Sequence, residues 1–324
     1  MEKKRYEGVD GLRAFACLGV IMMHMLSEDN NLYSINGFLF ESVIPSFTDF
    51  TILFMMISAF GMSVGYHDKV LLSQIDFKEF YKKRYLRIFP FFLVLVILDL
   101  LINFSITSLY EGIADISLLF GLFPNDIHVI GVGWFLGLIF TFYMIFPFFC
   151  VLISDKWMAW ISFGCALVLN YICGVYFNVD RKNIVFSLCF FLVGGLIYLY
   201  RDELEKLHWG ISVFFLGASI TVYYMIGIST YTEILVSASL LVIALGKIGQ
   251  VLNCKVIHFL SDISMEVYLS HMVVFRGIEK LHWNTFLGNG LGQYIFTVFV
   301  VTSGAIIFSI ILKRMIAGII IKIG

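Results

Sequence analysis

Charge is what this chain has least of. Of its 324 residues, 14% are Asp, Glu, Lys or Arg and 60% are hydrophobic, with a mean hydropathy of +0.92. So few charges cannot cover the surface of a water-soluble protein. The net charge of −1 offers no electrostatic footprint for nucleic acid, which is excluded as a partner. Proline is scarce: Pro45, Pro90, Pro124 and Pro147 are all there is. The Gly/Pro-broken helices in matched halves that many transporters carry find no counterpart. The six cysteines (Cys17, Cys150, Cys165, Cys173, Cys189 and Cys254) include no Cys-x-x-Cys pair, so neither a disulfide framework nor a metal site is suggested. Low-complexity linkers, internal repeats and a soluble domain are missing too. The first apolar run lacks a small-residue cleavage site and carries Arg13 and His24, so it does not read as a removable signal.

What is present is a series of apolar runs of about 20 residues, enough to span a bilayer as helices. Membrane strands would alternate in shorter segments. Backbone polar groups must be satisfied within the segment in lipid, which leaves a helix bundle. The fold expected is an all-α polytopic membrane protein, one domain over residues 1–324 with about ten transmembrane helices and the bilayer as its partner. The expected spans are 9–27, 44–66, 84–104, 131–153, 158–178, 184–200, 209–227, 231–247, 256–275 and 292–313. Lys3, Lys4 and Arg5, then Lys69, Lys78, Lys82, Lys83, Arg84 and Arg87, then Lys313, Arg314 and Lys322, mark alternate loops and ends as basic. By the positive-inside rule both termini are cytoplasmic. Arg181, Lys182, Arg276 and Lys280 fall on the outer side, against that rule. Residues 105–130 form the longest outer loop, a rim for an external substrate.

Polar groups inside membrane helices are costly and default to function. Arg13 and His24 are eleven positions apart on the first helix, roughly 16 Å, too far to touch each other. Asp10 reads as the helix cap before them. Arg84 and Arg87, at i and i+3, share a helix face and suit a phosphate-bearing ligand that two guanidiniums can grip. The plainer alternative is a positive-inside anchor that reaches lipid headgroups. Asp99 lies inside the third span. His271, late in the ninth, has Glu266 and Asp262 nearby in sequence to orient it. Trp134 and Tyr143 read as interface or packing aromatics unless the site claims them. His67, His128, His208, His258 and His282 fall in loops or near span ends and read as ordinary.

Three patterns coincide: Asp10-Gly-Leu-Arg13 with His24 eleven positions after Arg13; Arg84-Tyr-Leu-Arg87 followed by Pro90; and Trp134-Phe-Leu136 with Phe142-Tyr143 and Phe146-Pro147. Together they resemble the integral-membrane acyltransferases called acyltransferase family 3. Phe54-Met-Met-Ile-Ser-Ala-Phe60, Phe190-Phe-Leu-Val-Gly194 and Ser264-Met-Glu-Val-Tyr268-Leu-Ser-His271 resemble further family segments, so the likeness spans nearly the whole chain. Many members carry Glu-Glu-Gln before the Phe-Tyr of the fourth span. Here Ile139, Phe140 and Thr141 stand there, and no carboxylate role transfers.

The resemblance implies a membrane-bound O-acyltransferase that takes an acetyl group from cytoplasmic acetyl-CoA to a hydroxyl of a cell-surface or lipid-linked glycan. It implies a cell membrane, the bacterial plasma membrane, and no permanently bound cofactor. Arg84 and Arg87 hold the acyl-CoA phosphates with Arg13 as a further anion contact, and His24 is the general base, a task for which imidazole is suited. Trp134, Tyr143, Glu266, Tyr268 and His271 are candidates for the acceptor site or its support. A transporter or flippase for a lipid-linked glycan is the competing reading, and a non-catalytic sensor that binds the same ligands a third.

Overall fold

The computed structural model describes residues 5–28, 33, 35–102, 104–119, 122 and 131–323. Fourteen α-helices lie among the described residues: α1 (Glu7–Glu28), α2 (Ile44–Ser46), α3 (Phe50–Leu71), α4 (Phe77–Ile102), α5 (Ile106–Ile116), α6 (Trp134–Leu152), α7 (Lys156–Tyr176), α8 (Ile184–Leu199), α9 (Arg201–Leu204), α10 (Trp209–Ile226), α11 (Thr230–Leu245), α12 (Lys255–Asp262), α13 (Ser264–Lys280) and α14 (Leu291–Ile323). No strand occurs among the described residues. Among the described residues six helices are long and apolar enough to cross a membrane, starting at Glu7, Leu39, Trp134, Lys156, Trp209 and Leu291. The protein is therefore a helical, multi-pass membrane protein.

Short polar punctuation sets the boundaries. Asp155 caps α7 by accepting from the backbone of Trp157 and Met158 at 2.9 and 3.0 Å. Ser229 and Thr232 form a capping box at the head of α11. Gly227, at φ +94°, ends α10 in a conformation that disfavours any side chain. Between these ends the helices are apolar on all sides, as expected of buried or lipid-facing segments. Every residue from Phe135 to Phe142 on α6 is buried, as is every residue from Cys189 to Tyr198 on α8. Phe142 and Phe191 stack face to face at 4.1 Å across that interior. α8 meets α3 so closely that a Cβ on Gly194 would lie 2.3 Å from the Met56 carbonyl oxygen. Small residues allow this backbone approach, which is how membrane helices associate without a hydrophobic driving force. α7 and α10 lie outside, with Trp157, Trp160, Phe214 and Phe215 exposed.

Among the described residues the ten expected spans fall largely on helix, six of them on the helices long and apolar enough to cross a membrane, with four corrections. The second begins earlier, at Leu39, where a π-helical turn leads through α2 into α3. The third starts at Phe77, so Arg84 and Arg87 lie two turns inside a helix rather than at its entry. The ninth is not continuous: Ile263 leaves helical geometry at φ −112° and ψ 7°, separating α12 from α13. The stretch 105–130 is not all loop, because Ser105 caps α5 by accepting from Ser108; residues 123–130 lie outside the described part. α5 packs on α4 and exposes Ile106, Tyr110 and Ile113.

Arg5 near the N-terminus and Lys313 late in α14 both reach Asp262, Arg5 through the carboxylate and Lys313 through the backbone carbonyl. Arg5, just before α1, and Lys313, in the second half of α14, therefore meet at the end of α12. Arg181 is one of the four outer basic residues that ran against the loop-charge rule. It is held by Asp49 at 3.2 Å and Thr48 at 2.7 Å, and Tyr223 donates to the same Asp49 at 2.6 Å. Its charge is a structural one, compensated inside the fold.

Candidate active site

A cavity of about 490 Å³ opens among α1, α3, α4, α6 and α13. At one end it is lined by Arg13, Tyr66, Arg84, Arg87 and Tyr143, at the other by Phe54, Phe135 and Tyr268. From Tyr143 to Phe135 is eight residues of helix, about 12 Å, and from Tyr66 to Phe54 is twelve, about 18 Å. The cavity is thus an elongated groove, basic at one end and aromatic at the other.

Its basic end is built from the beginnings of α1 and α4, the end of α3 and the second half of α6. Arg84 stacks over Tyr66 at 4.8 Å, Tyr143 at 5.5 Å and Phe80 at 5.7 Å, so three rings fix the plane of its guanidinium. Its Nε is buried without a hydrogen-bond partner. Among the described residues no carboxylate pairs with Arg84 or Arg87, while Arg13 pairs with Asp10 at 3.3 Å. Asp10 is not the helix cap that the sequence suggested. α1 begins three residues earlier, and Asp10 sits in its first turn as an ionic hub for Arg13 and for Arg5, the latter at 2.7 Å. Two carboxylates, Asp10 and Asp262, stand against four guanidiniums, Arg5, Arg13, Arg84 and Arg87, which leaves this groove with uncompensated positive charge.

At its aromatic end the Tyr268 ring lies 5.6 Å from Phe135 and 6.2 Å from Phe54. Behind Tyr268, at 5.8 Å, stands His271, which is wholly buried. His271 in turn faces His24 across the α1–α13 contact, with ring centroids 5.2 Å apart. His24 therefore points into the bundle and not at lipid. Neither histidine lines the groove itself, and the Tyr268 ring stands between them and it.

The other sequence candidates divide. Tyr143 lies at the basic end against Arg84, which makes it a support for that guanidinium. Trp134 is half-buried at the head of α6, edge-on to Phe135 at 5.7 Å, one residue removed from the groove. Glu266 does not orient His271: it pairs with Lys313 at 2.7 Å. Asp262 is likewise committed to Arg5, at 3.4 Å. His67, read as ordinary, places Nδ1 2.9 Å from Asp68 Oδ1 and Nε2 3.0 Å from the Ile153 carbonyl oxygen, two groups that only accept, and ties α3 to the end of α6. The sequence reading missed Tyr66 and Phe80, the rings beneath Arg84. Their signal was available in the aromatic residues that flank the basic segment.

The fold and the groove define a multi-pass membrane protein with a basic recess that runs toward a buried pair of imidazoles. A family model described as an acyltransferase domain, that of acyltransferase family 3, matches residues 6–314, and the chain belongs to that family. It is a membrane acyltransferase. Among curated proteins and among solved structures nothing matches the chain.

Proposed function

We propose that this acyltransferase moves an acetyl group from acetyl-CoA to a hydroxyl of a cell-surface or lipid-linked glycan, in the plasma membrane of a bacterium. The observation that carries the donor half is the pair of guanidiniums, Arg84 and Arg87, that line one groove and pair with no carboxylate among the described residues, the groove's own Asp10 and Asp262 being taken up by Arg5 and Arg13. Arg84 is half-buried and Arg87 exposed, so both guanidiniums remain open to an anionic ligand that can take charge-assisted hydrogen bonds from them. CoA is a polyanion at one end and a slender arm at the other. Its phosphates fit the basic end with Arg13, and its arm fits a groove 12 to 18 Å long by the helix rise. The thioester then lies near Phe54, Phe135 and Tyr268.

His24 is the base. The acceptor oxygen attacks the thioester carbonyl carbon as its proton passes to an imidazole nitrogen of His24. The tetrahedral intermediate collapses with cleavage of the C–S bond, and the CoA thiolate takes the proton back from His24. The products are the acetyl ester and free CoA. Tyr268, between the groove and the histidines, must turn aside or admit the acceptor beside it.

The test is transfer from radiolabelled acetyl-CoA by the purified protein in nanodiscs, with mass spectrometry of the surface glycan from cells that do or do not make the protein. The expected result is a labelled ester that disappears in His24→Ala while that variant still inserts and folds. Full activity in His24→Ala refutes the base, and an unchanged glycan refutes the acceptor class.

A further inference from the structure

His271 is tied to one partner and bare at the other. Its Nδ1 lies 2.5 Å from the Tyr268 carbonyl oxygen, one turn earlier on α13. A carbonyl can only accept, so Nδ1 carries the ring hydrogen and Nε2 keeps its lone pair. That Nε2 is buried and has no hydrogen-bond partner, on a residue with no exposed surface at all. Buried acceptors are almost always satisfied, so an orphan asks for a donor.

The donor at hand is His24. α1 and α13 run parallel, and their contacts repeat in step. Cys17 Sγ reaches the Ser264 carbonyl at 3.3 Å; seven residues on in both helices the two imidazoles meet; above them Glu28 pairs with Arg276 at 3.0 Å. Equal seven-residue steps keep both residues on the seam between the helices. Two imidazoles joined by an N–H···N bond have centroids about 5 Å apart, given an N···N distance of about 2.9 Å and a ring radius of just over 1 Å at each end. The observed separation is 5.2 Å. Histidine turns freely about its second side-chain torsion, so aligning the His24 ring takes rotation and no backbone movement. Among the described residues His24 has no other hydrogen bond.

We propose that His271 is a positioning residue for His24: its bare Nε2 accepts the N–H of one His24 nitrogen, which fixes the His24 tautomer and leaves the other nitrogen as the base. This rests on the reading of His24 as general base. The arrangement does for a neutral imidazole what a carboxylate does for a metal-bound or catalytic histidine elsewhere, orienting it and settling which nitrogen is free. It also accounts for the departure of Glu266 and Asp262 to other partners, because the histidine pair needs no carboxylate.

Glutamine and asparagine separate the two nitrogens of His271. Gln places its amide where Nε2 was, and Asn places it where Nδ1 was. His271→Leu should lower kcat by about 10- to 100-fold, the usual effect of removing such a partner, with KM for acetyl-CoA unchanged. His271→Gln should hold kcat within about threefold of wild type, and His271→Asn should be as poor as His271→Leu. The opposite order, with Asn active and Gln inactive, would mean that the residue serves only to hold the Tyr268 carbonyl, and would overturn the proposal. So would a Gln variant as poor as Leu, or a Leu variant equal to wild type. A second measurement needs no turnover: ¹⁵N NMR of histidine-labelled protein in nanodiscs. The His271 Nε2 resonance should be that of a hydrogen-bonded acceptor and should move to the free-acceptor position in His24→Ala. A resonance indifferent to His24→Ala overturns the contact. Full turnover in His24→Ala, by contrast, overturns the base and leaves the contact to be judged by the resonance alone.

Discussion

Replacing Arg84 by Gln removes one guanidinium from the basic end of the groove and leaves every backbone contact in place. The structure allows its cost to folding and its cost to binding to be worked out separately. For folding, the side chain gives up three ring contacts, those to Tyr66, Tyr143 and Phe80, each worth about 0.5–1 kcal/mol. Against that, a buried Nε that has no partner in the free protein goes away, relieving a penalty of about 1–3 kcal/mol. No carboxylate is orphaned, because none pairs with Arg84 among the described residues. The two contributions nearly cancel, and the melting temperature should barely move. For binding, a charge-assisted hydrogen bond to phosphate is worth about 1.5–3 kcal/mol, which is about 10- to 100-fold in affinity. KM for acetyl-CoA, or its Kd by calorimetry on protein in nanodiscs, should rise by that factor while kcat holds. Arg84→Lys should fall between, since it keeps the charge and loses the planar fork that lies over Tyr66. The reasoning fails if Arg84→Gln melts many degrees lower with an unchanged KM, for the guanidinium would then be holding the helices together and not a ligand.

Two further outcomes concern the scaffold. Gly194→Ala puts a methyl 2.3 Å from the Met56 carbonyl oxygen and 2.9 Å from its Cα, atoms of backbone that cannot swing away, so a loss of about 1–3 kcal/mol is expected by thermal denaturation in detergent. A variant that melts with wild type would mean that α3 and α8 stand further apart. Arg181→Met leaves Asp49 nearly buried with Tyr223 and Thr48 unable to balance its charge, at a cost of about 3 kcal/mol. The double variant Arg181→Met with Asp49→Leu should be more stable than Arg181→Met alone, and the reverse order would show that the pair contributes nothing.

The helices were legible because each is a long apolar run, and in lipid such a run has no alternative to helix. Arg84 and Arg87 were placed on one face by their spacing alone, and the groove holds both. What escaped was whatever depends on partners distant in the chain. His24 and His271 are separated by 247 positions, and no periodicity links them. Glu266 lies five positions from His271, which in a helix is more than a full turn, and its side chain leaves for Lys313 on another helix. The pairing of Asp10 with Arg13 was within reach, since i and i+3 are neighbours on a helix surface. It was hidden by starting the helix three residues late. The break at Ile263 has neither glycine nor proline to announce it. Its only trace is the polar Ser261-Asp262 and Ser264 that flank it, with Ser264 bonded back to the Ser261 carbonyl at 2.8 Å.

The seam between the first helix and the thirteenth also bears on the order in which the enzyme comes into being. Synthesis delivers α1 first, and its mate emerges only after about 235 further residues have left the ribosome. Until then Cys17 and His24, on the side of α1 that meets α13, wait in the bilayer without their final neighbour. A polypeptide cut short before Ser264 would insert most of its helices and never assemble the histidine pair, so activity should switch on only as the last helices enter the membrane.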